Sequence, residues 1–317
     1  MPQIGNVKID GKVILSPMAG ISDSPYRLLT RQMGSAFSFT EFVSADGITH
    51  FNQKTIRLFQ FKEEERPVCF QIFGNNVQTI VEAAKISEEL KPDIIDINMG
   101  CSTSKVSQRG SGAGLLKKPT YAGKIIETLR KNVHVPITAK IRIGWDHSSL
   151  NYKEVVTALQ DSGVQAISVH GRTKQMGYKG QADWQIISEI KSFANVPIFG
   201  NGDVLSYEEA IQKLHSSGVD GILVGRAGIG NPWLFAGKDK SLVALSEMLH
   251  MIRSHLGYML DFYDELGLVL FRKHLAKYLK EYPKLQDCKR QLLTCDSVEQ
   301  FDDLLESISL EDFVFSS

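Results

Sequence analysis

The sequence carries no excess charge of either sign: 36 basic residues balance 36 acidic ones in a chain of 317. That excludes attraction of the whole chain to a polyanion, and only a local basic patch could recognise nucleic acid. No apolar run reaches about 18 residues, so no transmembrane helix is expected. Met1 to Gly11 lacks the basic-then-apolar order of a secretory signal. Cysteine is scarce. Cys69, Cys101, Cys288 and Cys295 form no Cys-x-x-Cys pair, which gives no zinc signature and suits a reducing cytoplasm. A Gly-x-Gly-x-x-Gly after the first apolar segment is also missing. This favours a barrel over the runner-up architecture, an open doubly wound sheet.

What is present is a core-forming composition, 43% hydrophobic and 23% charged. One stretch organises the rest. Asp93 to Ile97 reads as a buried strand, ends at Asn98, Gly100 and Cys101, and runs into a small, polar, basic segment with Gly110, Gly112 and Gly114. A strand that delivers a thiol into a flexible glycine-rich loop suits chemistry rather than packing.

Around it, strands and helices alternate. Strands are expected at Lys12 to Met18, Phe37 to Val43, Pro67 to Ile72, Asp93 to Ile97, Pro136 to Arg142, Ala166 to His170, Pro197 to Phe199 and Gly221 to Val224. Ser24-Pro25 supplies a hydroxyl cap and first-turn proline for a helix. Further helices are expected at Val77 to Leu90, Thr120 to Lys131, Tyr152 to Asp161, Trp184 to Ser192 and Tyr207 to His215. Eight such units in about 235 residues match a (β/α)8 TIM barrel. After Pro232 the pattern becomes helical only, with turns near Gly267 and Pro283 and a cap at Ser297. The expected domains are a barrel at 1–240 and an all-α domain at 241–317. In the latter, Arg272 to Arg290 holds seven Lys or Arg and two acids, and Gln291 onward holds seven acids and neither base.

Polar residues gather at the C-terminal ends of the expected strands, where barrels keep their active sites: Ser16 to Ala19, Gln71, Asn98 and Cys101, Lys140 and Arg142, His170 and Arg172, Asn201 to Asp203, and Gly225-Arg226. The glycine turns after strands seven and eight fit a phosphate or ordinary loop closure. Lys140 in an apolar strand either stabilises an anion, such as the reduced ring of a flavin, or pairs with a carboxylate such as Asp96. Cys101 is a proton donor, a nucleophile or a small hydrophobe. His170 beside Gly171 to Lys174 favours an anionic ligand over a core role. The basic, aromatic, glycine-rich run to Gly180 suits RNA. Lys273, Lys277, Lys280 and Lys284 share one helical stripe if the helix reaches Pro283, with Arg272, His274 and Tyr278 interleaved. That stripe is a solvated face or an RNA-backbone contact.

Taken together, Ser16 to Gly20, Gln71 to Gly74, Asp96 to Cys101, Gly112 to Leu116, Ala139 to Arg142, Val169 to Thr173, Gly200 to Asp203, Val224 to Ala227 and Phe271 to His274 resemble the bacterial tRNA-dihydrouridine synthases. The resemblance implies FMN in the barrel, NADPH or NADH as reductant, tRNA as partner, and no membrane or obligate protein partner, with the chain a monomer. It implies FMN contacts at Pro17, Met18, Ala19, Gln71, Lys140, His170, Asn201, Gly202, Asp203, Gly225 and Arg226. Cys101 would protonate uracil C5 opposite a hydride delivered to C6. Asn98, Arg142, Arg172, Lys174, Arg272, Lys273 and Lys277 would face the substrate RNA. The family usually has proline after this cysteine, and here Ser102 replaces it. An FMN-dependent barrel oxidoreductase acting on a small molecule is the alternative, and an RNA-binding protein with a decayed site is a third reading.

Overall fold

The computed structural model describes residues 3–281 and 286–314. The chain divides into two compact units, Met1–Gly225 and Arg226–Ser317. The first unit holds eight parallel strands: β1 (Val13–Leu15), β2 (Ser38–Phe39), β3 (Val68–Phe73), β4 (Ile94–Met99), β5 (Ile137–Arg142), β6 (Ile167–His170), β7 (Ile198–Asn201) and β8 (Gly221–Val224). Each pairs with its sequence neighbour from β2 round to β8, and β8 returns to β1. The Ala36 N–H on the Val13 carbonyl (2.9 Å) and the Leu15 N–H on Ser35 Oγ (3.0 Å) bridge the remaining seam. The fold is a nearly closed (β/α)8 barrel. Its strands are Val, Ile and Ala runs because both faces are covered: every residue of β4 and β5 is buried.

Helices α1 (Ser24–Gln32), α2 (Val77–Glu89), α3 (Pro119–Asn132), α4 (Tyr152–Asp161), α5 (Trp184–Phe193) and α6 (Tyr207–Ser217) alternate with the strands. Of the expected apolar side of α2, Ile80, Val81 and Ala84 are buried, whereas Leu90, which follows the last helical residue as its cap, is exposed. Between β2 and β3 the helical segments are short: Ala45–Thr49, Gln53–Ile56 and two 3-10 turns, Arg57–Phe59 and Glu63–Glu65. An apolar cluster of Ile14, Phe37, Phe39, Cys69, Ile94, Phe199 and Leu223, with Ile4 and Ile9 from the N-terminal segment, fills the barrel's other end. Polar strand ends are thus left to one face.

Three local expectations change. The cap of α1 is Asp23, whose carboxylate accepts from the Tyr26 N–H (3.3 Å); the Ser24 hydroxyl instead donates to Glu65. The single strand expected over Phe37 to Val43 is broken. Phe39 pairs with Cys69 and Val43 with Ile72, so four steps oppose three, as in a bulge. The Thr40 hydroxyl takes the Gln71 N–H in place of a ladder carbonyl (3.0 Å). The loop after Cys101 is not open coil: it folds through Ser104–Ser107 and a 3-10 turn, Gly112–Lys117.

In the second unit, three 3-10 turns up to Leu242 precede α7 (Leu245–Tyr263), α8 (Leu266–Tyr278), α9 (Gln286–Thr294) and α10 (Val298–Val314). Ser297 caps α10, its Oγ accepting from the Gln300 N–H (3.1 Å). The turn expected near Gly267 lies earlier, at Asp264 (φ 55°). Gly267 itself is inside α8, where an added Cβ would stand 2.5 Å from the Met259 carbonyl oxygen. It is glycine because two helices touch there. Pro283 and Lys284 lie outside the described residues.

Candidate active site

Inward-facing positions of a barrel strand recur every second residue. Asp96 and Asn98 therefore share a side, as do Thr138, Lys140 and Arg142, and the register sets Gln71 beside Asp96, Asn98 beside Lys140 and Arg142 beside His170. Gln71 Nε2 donates to Asp96 Oδ2 (2.8 Å) and Thr138 Oγ1 to Asp96 Oδ1 (2.6 Å). Asn98 Nδ2 donates to Gln71 Oε1 (2.8 Å). Asn98 Oδ1 accepts the N–H groups of Gly100 (3.1 Å) and Cys101 (2.9 Å).

Cys101 is half-buried, with Thr103 Oγ1 3.2 Å from its sulfur. The glycine run folds back on it: the Ala113 N–H bonds the Cys101 carbonyl (3.1 Å). The Ser102 N–H makes no hydrogen bond among the described residues, so serine here spends no bond that proline would lack.

Lys140 is buried, and among the described residues its ammonium makes one hydrogen bond, to Asn201 Oδ1 (3.0 Å). Asn201 is oriented by donating to the Leu223 carbonyl (2.8 Å). Burial, with Arg142 nearby, pulls the ammonium down to about 7 despite the attraction of Asp96. Burial lifts the Asp96 carboxyl to about 6 against the pull of Thr138, Gln71 and Lys140. The pairing of Lys140 with Asp96 weighed from the sequence is therefore one of charge, without a hydrogen bond.

Arg142, also buried, donates to the carbonyls of Gly100 (2.8 Å), Thr173 (2.8 Å) and Gly177 (3.0 Å), tying the cysteine loop to the loop after β6. Burial lowers it to about 10. Arg172 grips Asp203 through both carboxylate oxygens (2.6 and 2.7 Å), and its Nη1 lies 3.4 Å from His170 Nε2. Asp203 also takes the Ala182 N–H (2.7 Å), which holds it at φ 49°. At Gly202 (φ 128°) a Cβ would collide with Ala182 at 2.5 Å.

Nearer the surface, Met18 belongs to a turn closed by Ser22, whose hydroxyl accepts its N–H (3.0 Å). Pro17 and Met18 are half-buried and Ala19 is exposed. A Cβ on Gly225 would meet only Met18 Sδ, at 3.8 Å, so the backbone is open there. Lys174 lies over the Trp145 ring at 4.4 Å, with Lys117 at 3.5 Å. Tyr178 is 66% exposed, 6.0 Å from the Arg142 guanidinium.

The expected residues of the first unit are thus brought to one barrel end, although Asn98, Arg142 and Arg172 spend their polar groups on the protein itself. Thr138, Thr173 and Trp145 were not anticipated. Two-residue alternation from Lys140 would have found Thr138.

Arg226 is exposed in the second unit. There, Arg272 donates to the Cys295 carbonyl (2.8 Å), Lys273 is half-buried, and Lys277 and Lys280 are exposed. The interleaved His274 and Tyr278 are core residues instead. His255 stands 3.1 Å by its Nδ1 from the Tyr278 hydroxyl and 4.6 Å between ring centres from His274. Burial takes His255 down to about 3 and His274 well below its usual range. Among the described residues, no cluster could hold a metal ion and no helix is long and apolar enough to cross a membrane.

A family model described as dihydrouridine synthase matches residues 14–314. A Synechocystis protein named probable tRNA-dihydrouridine synthase 1 is 34% identical over 313 residues, covering 96% of this chain and 88% of that one. The tRNA-dihydrouridine synthase B of Pseudomonas aeruginosa is 35% identical over 319 residues, covering 94% and 95%. Histamine dehydrogenase from Rhizobium sp. 4-9 superposes with a TM-score of 0.57 at 13% identity, covering 81% of this chain and 50% of that one. The last likeness is one of fold.

Proposed function

The chain belongs to the dihydrouridine synthase family, and from that membership and the strand-end site we infer that it reduces the C5–C6 double bond of uridine in tRNA. The observation that carries the chemistry is the half-buried thiol of Cys101, three residues beyond Asn98, which is the strand neighbour of the buried Lys140.

The cofactor is FMN, reduced by NADPH or NADH. The residues fit it in two ways. Lys140 spends one of three ammonium donors on Asn201, which leaves positive charge for an anionic ring edge. The open backbone at Gly225 beside Met18 leaves room for a phosphate or ring. When bound and reduced, the flavin supplies hydride to uracil C6. Gln71, Lys140, His170, Asn201 to Asp203, Pro17 to Ala19 and Gly225 would hold it.

The chain's own residues do the remainder. Cys101 holds the proton that goes to C5, a contribution of about 10²–10⁴ for a placed acid. Asn98 and Arg142 hold the two edges of the peptide that leads into the thiol, through the Cys101 N–H and the Gly100 carbonyl. Arg172 locks the loop after β7. The base must leave its stack, at a cost of a few kcal/mol, which phosphate contacts by Lys174, Lys273 and Lys277 offset; Arg272 supports them through Cys295. Residues 1–240 act as the catalytic domain and 241–317 as the RNA-gripping domain of a cytoplasmic monomer.

The test is tRNA from cells lacking the gene, analysed for dihydrouridine and complemented. Restoration by the wild type and not by Cys101→Ala is expected. Undiminished dihydrouridine in the deletion would overturn the reading.

A further inference from the structure

The proposed reaction uses Cys101, Lys140 and the loops around them. It leaves a buried carboxyl at the same barrel end without a task. Asp96 is fully enclosed, and a carboxylate in such a place demands a reason, because desolvating it is costly. Its neighbours supply one. An ionised carboxylate only accepts hydrogen bonds. Gln71 must therefore turn its NH2 to Asp96, as it does at 2.8 Å. That points Gln71 Oε1 at Asn98, and an oxygen there can be met only by a donor, so Asn98 presents its own NH2, also at 2.8 Å. Asn98 Oδ1 is then left facing the N–H groups of Gly100 and Cys101. Each amide has two orientations of nearly equal shape, and the carboxylate at the head of the chain selects one for both.

We propose that Asp96 is a positioning residue whose carboxylate fixes the orientation of the Gln71 and Asn98 amides and, through them, pins the backbone that carries the Cys101 thiol. The proposal deepens the reading of Cys101 as proton donor and rests on it for its consequence, but not for its test. Thr138 bonds the other carboxylate oxygen, Oδ1, and lies outside this relay. Arg142 holds the Gly100 carbonyl independently, so losing the relay loosens the turn without unfolding it.

Asp96→Asn removes the directionality while keeping the shape. Asparagine can offer its own NH2 to Gln71, and both amides can then invert, setting the Asn98 NH2 against two N–H groups. The experiment measures iodoacetamide alkylation of Cys101 in the purified flavin-bound protein, resolved from the other cysteines by peptide mass spectrometry. Asp96→Asn is expected to raise the rate about tenfold, and Asn98→Ala by a similar factor. The double variant should add nothing, since both act through one chain. Thr138→Val should stay within about twofold of the wild type. If Asp96→Asn does not fold, Gln71→Ala cuts the same relay and must match Asn98→Ala. Unchanged alkylation in Asp96→Asn, additive effects with Asn98→Ala, or an equal effect of Thr138→Val would overturn the proposal. None of these outcomes depends on turnover: a Cys101→Ala protein that still forms dihydrouridine would instead remove the acid role and leave the relay standing.

Discussion

The barrel end and the helical unit both bury polar side chains, and they satisfy them differently. In the barrel, Asp96, Gln71, Asn98, Lys140, Arg142 and Asn201 bond one another or nearby backbone because strand register sets them side by side. In the helical unit, His255 and Tyr278 pack against Phe271, and His274 against His255, as parts of an aromatic core. The first arrangement gathers polar groups at one end of the barrel. The second surrenders polar groups to packing and leaves only outer residues such as Lys277 for a partner. Position on a strand end is therefore a better guide to function than membership of a basic, aromatic-rich helix.

The contrast can be broken first at the thiol. Cys101→Ala should lower dihydrouridine formation by about 10²–10⁴ in single-turnover assays while the flavin stays bound. A rate near the wild type would make the barrel end a binding site only. Next is Lys140→Met, which should weaken flavin retention by about tenfold to a hundredfold, followed by fluorescence of the released cofactor. Retention equal to the wild type would sever the link between the buried ammonium and the flavin.

The helical unit should respond in stability before chemistry. Gly267→Val forces a side chain onto the Met259 carbonyl and should cost about 1–3 kcal/mol in denaturant unfolding of that unit. Its pH response has a definite sign. The fold depresses His255 to about 3, so the native state binds fewer protons than the unfolded one between that value and the ordinary histidine range near about 6.5. Stability is complete above the higher value and falls as the pH drops toward the lower, by on the order of a few kcal/mol. His255→Phe should flatten that slope in thermal melts; an unaltered slope would assign the acid sensitivity elsewhere. The smallest effect is expected from Lys277→Ala, a few-fold weaker tRNA binding with the salt slope reduced by about one.

Much of this was legible in the sequence. Gly221–Val224 and Tyr152–Asp161 begin and end where turn residues and periodicity place them. The convergence of Gln71, Asn98, Lys140 and His170 follows from barrel topology alone. What could not be read depends on partners distant in the chain. Nothing near Ser24 says that its hydroxyl goes to Glu65 and leaves the cap to Asp23. The helical stripe grouped His274 with the lysines because periodicity gives a face without saying which face is covered. Gly267 reads as a turn from its type, and only the packing of Met259 against it reveals a helix contact.

The central claim, that the polar strand ends form a site for reducing uridine within RNA, is tested most directly by one assay. Purified flavin-bound protein is incubated with an unmodified tRNA transcript and NADPH, and the RNA is digested and weighed by mass spectrometry. The account predicts a fragment heavier by two hydrogen atoms at a uridine, absent with Cys101→Ala. Reduction of the bound flavin with no change in any tRNA fragment, across the transcripts of the source organism, would contradict it.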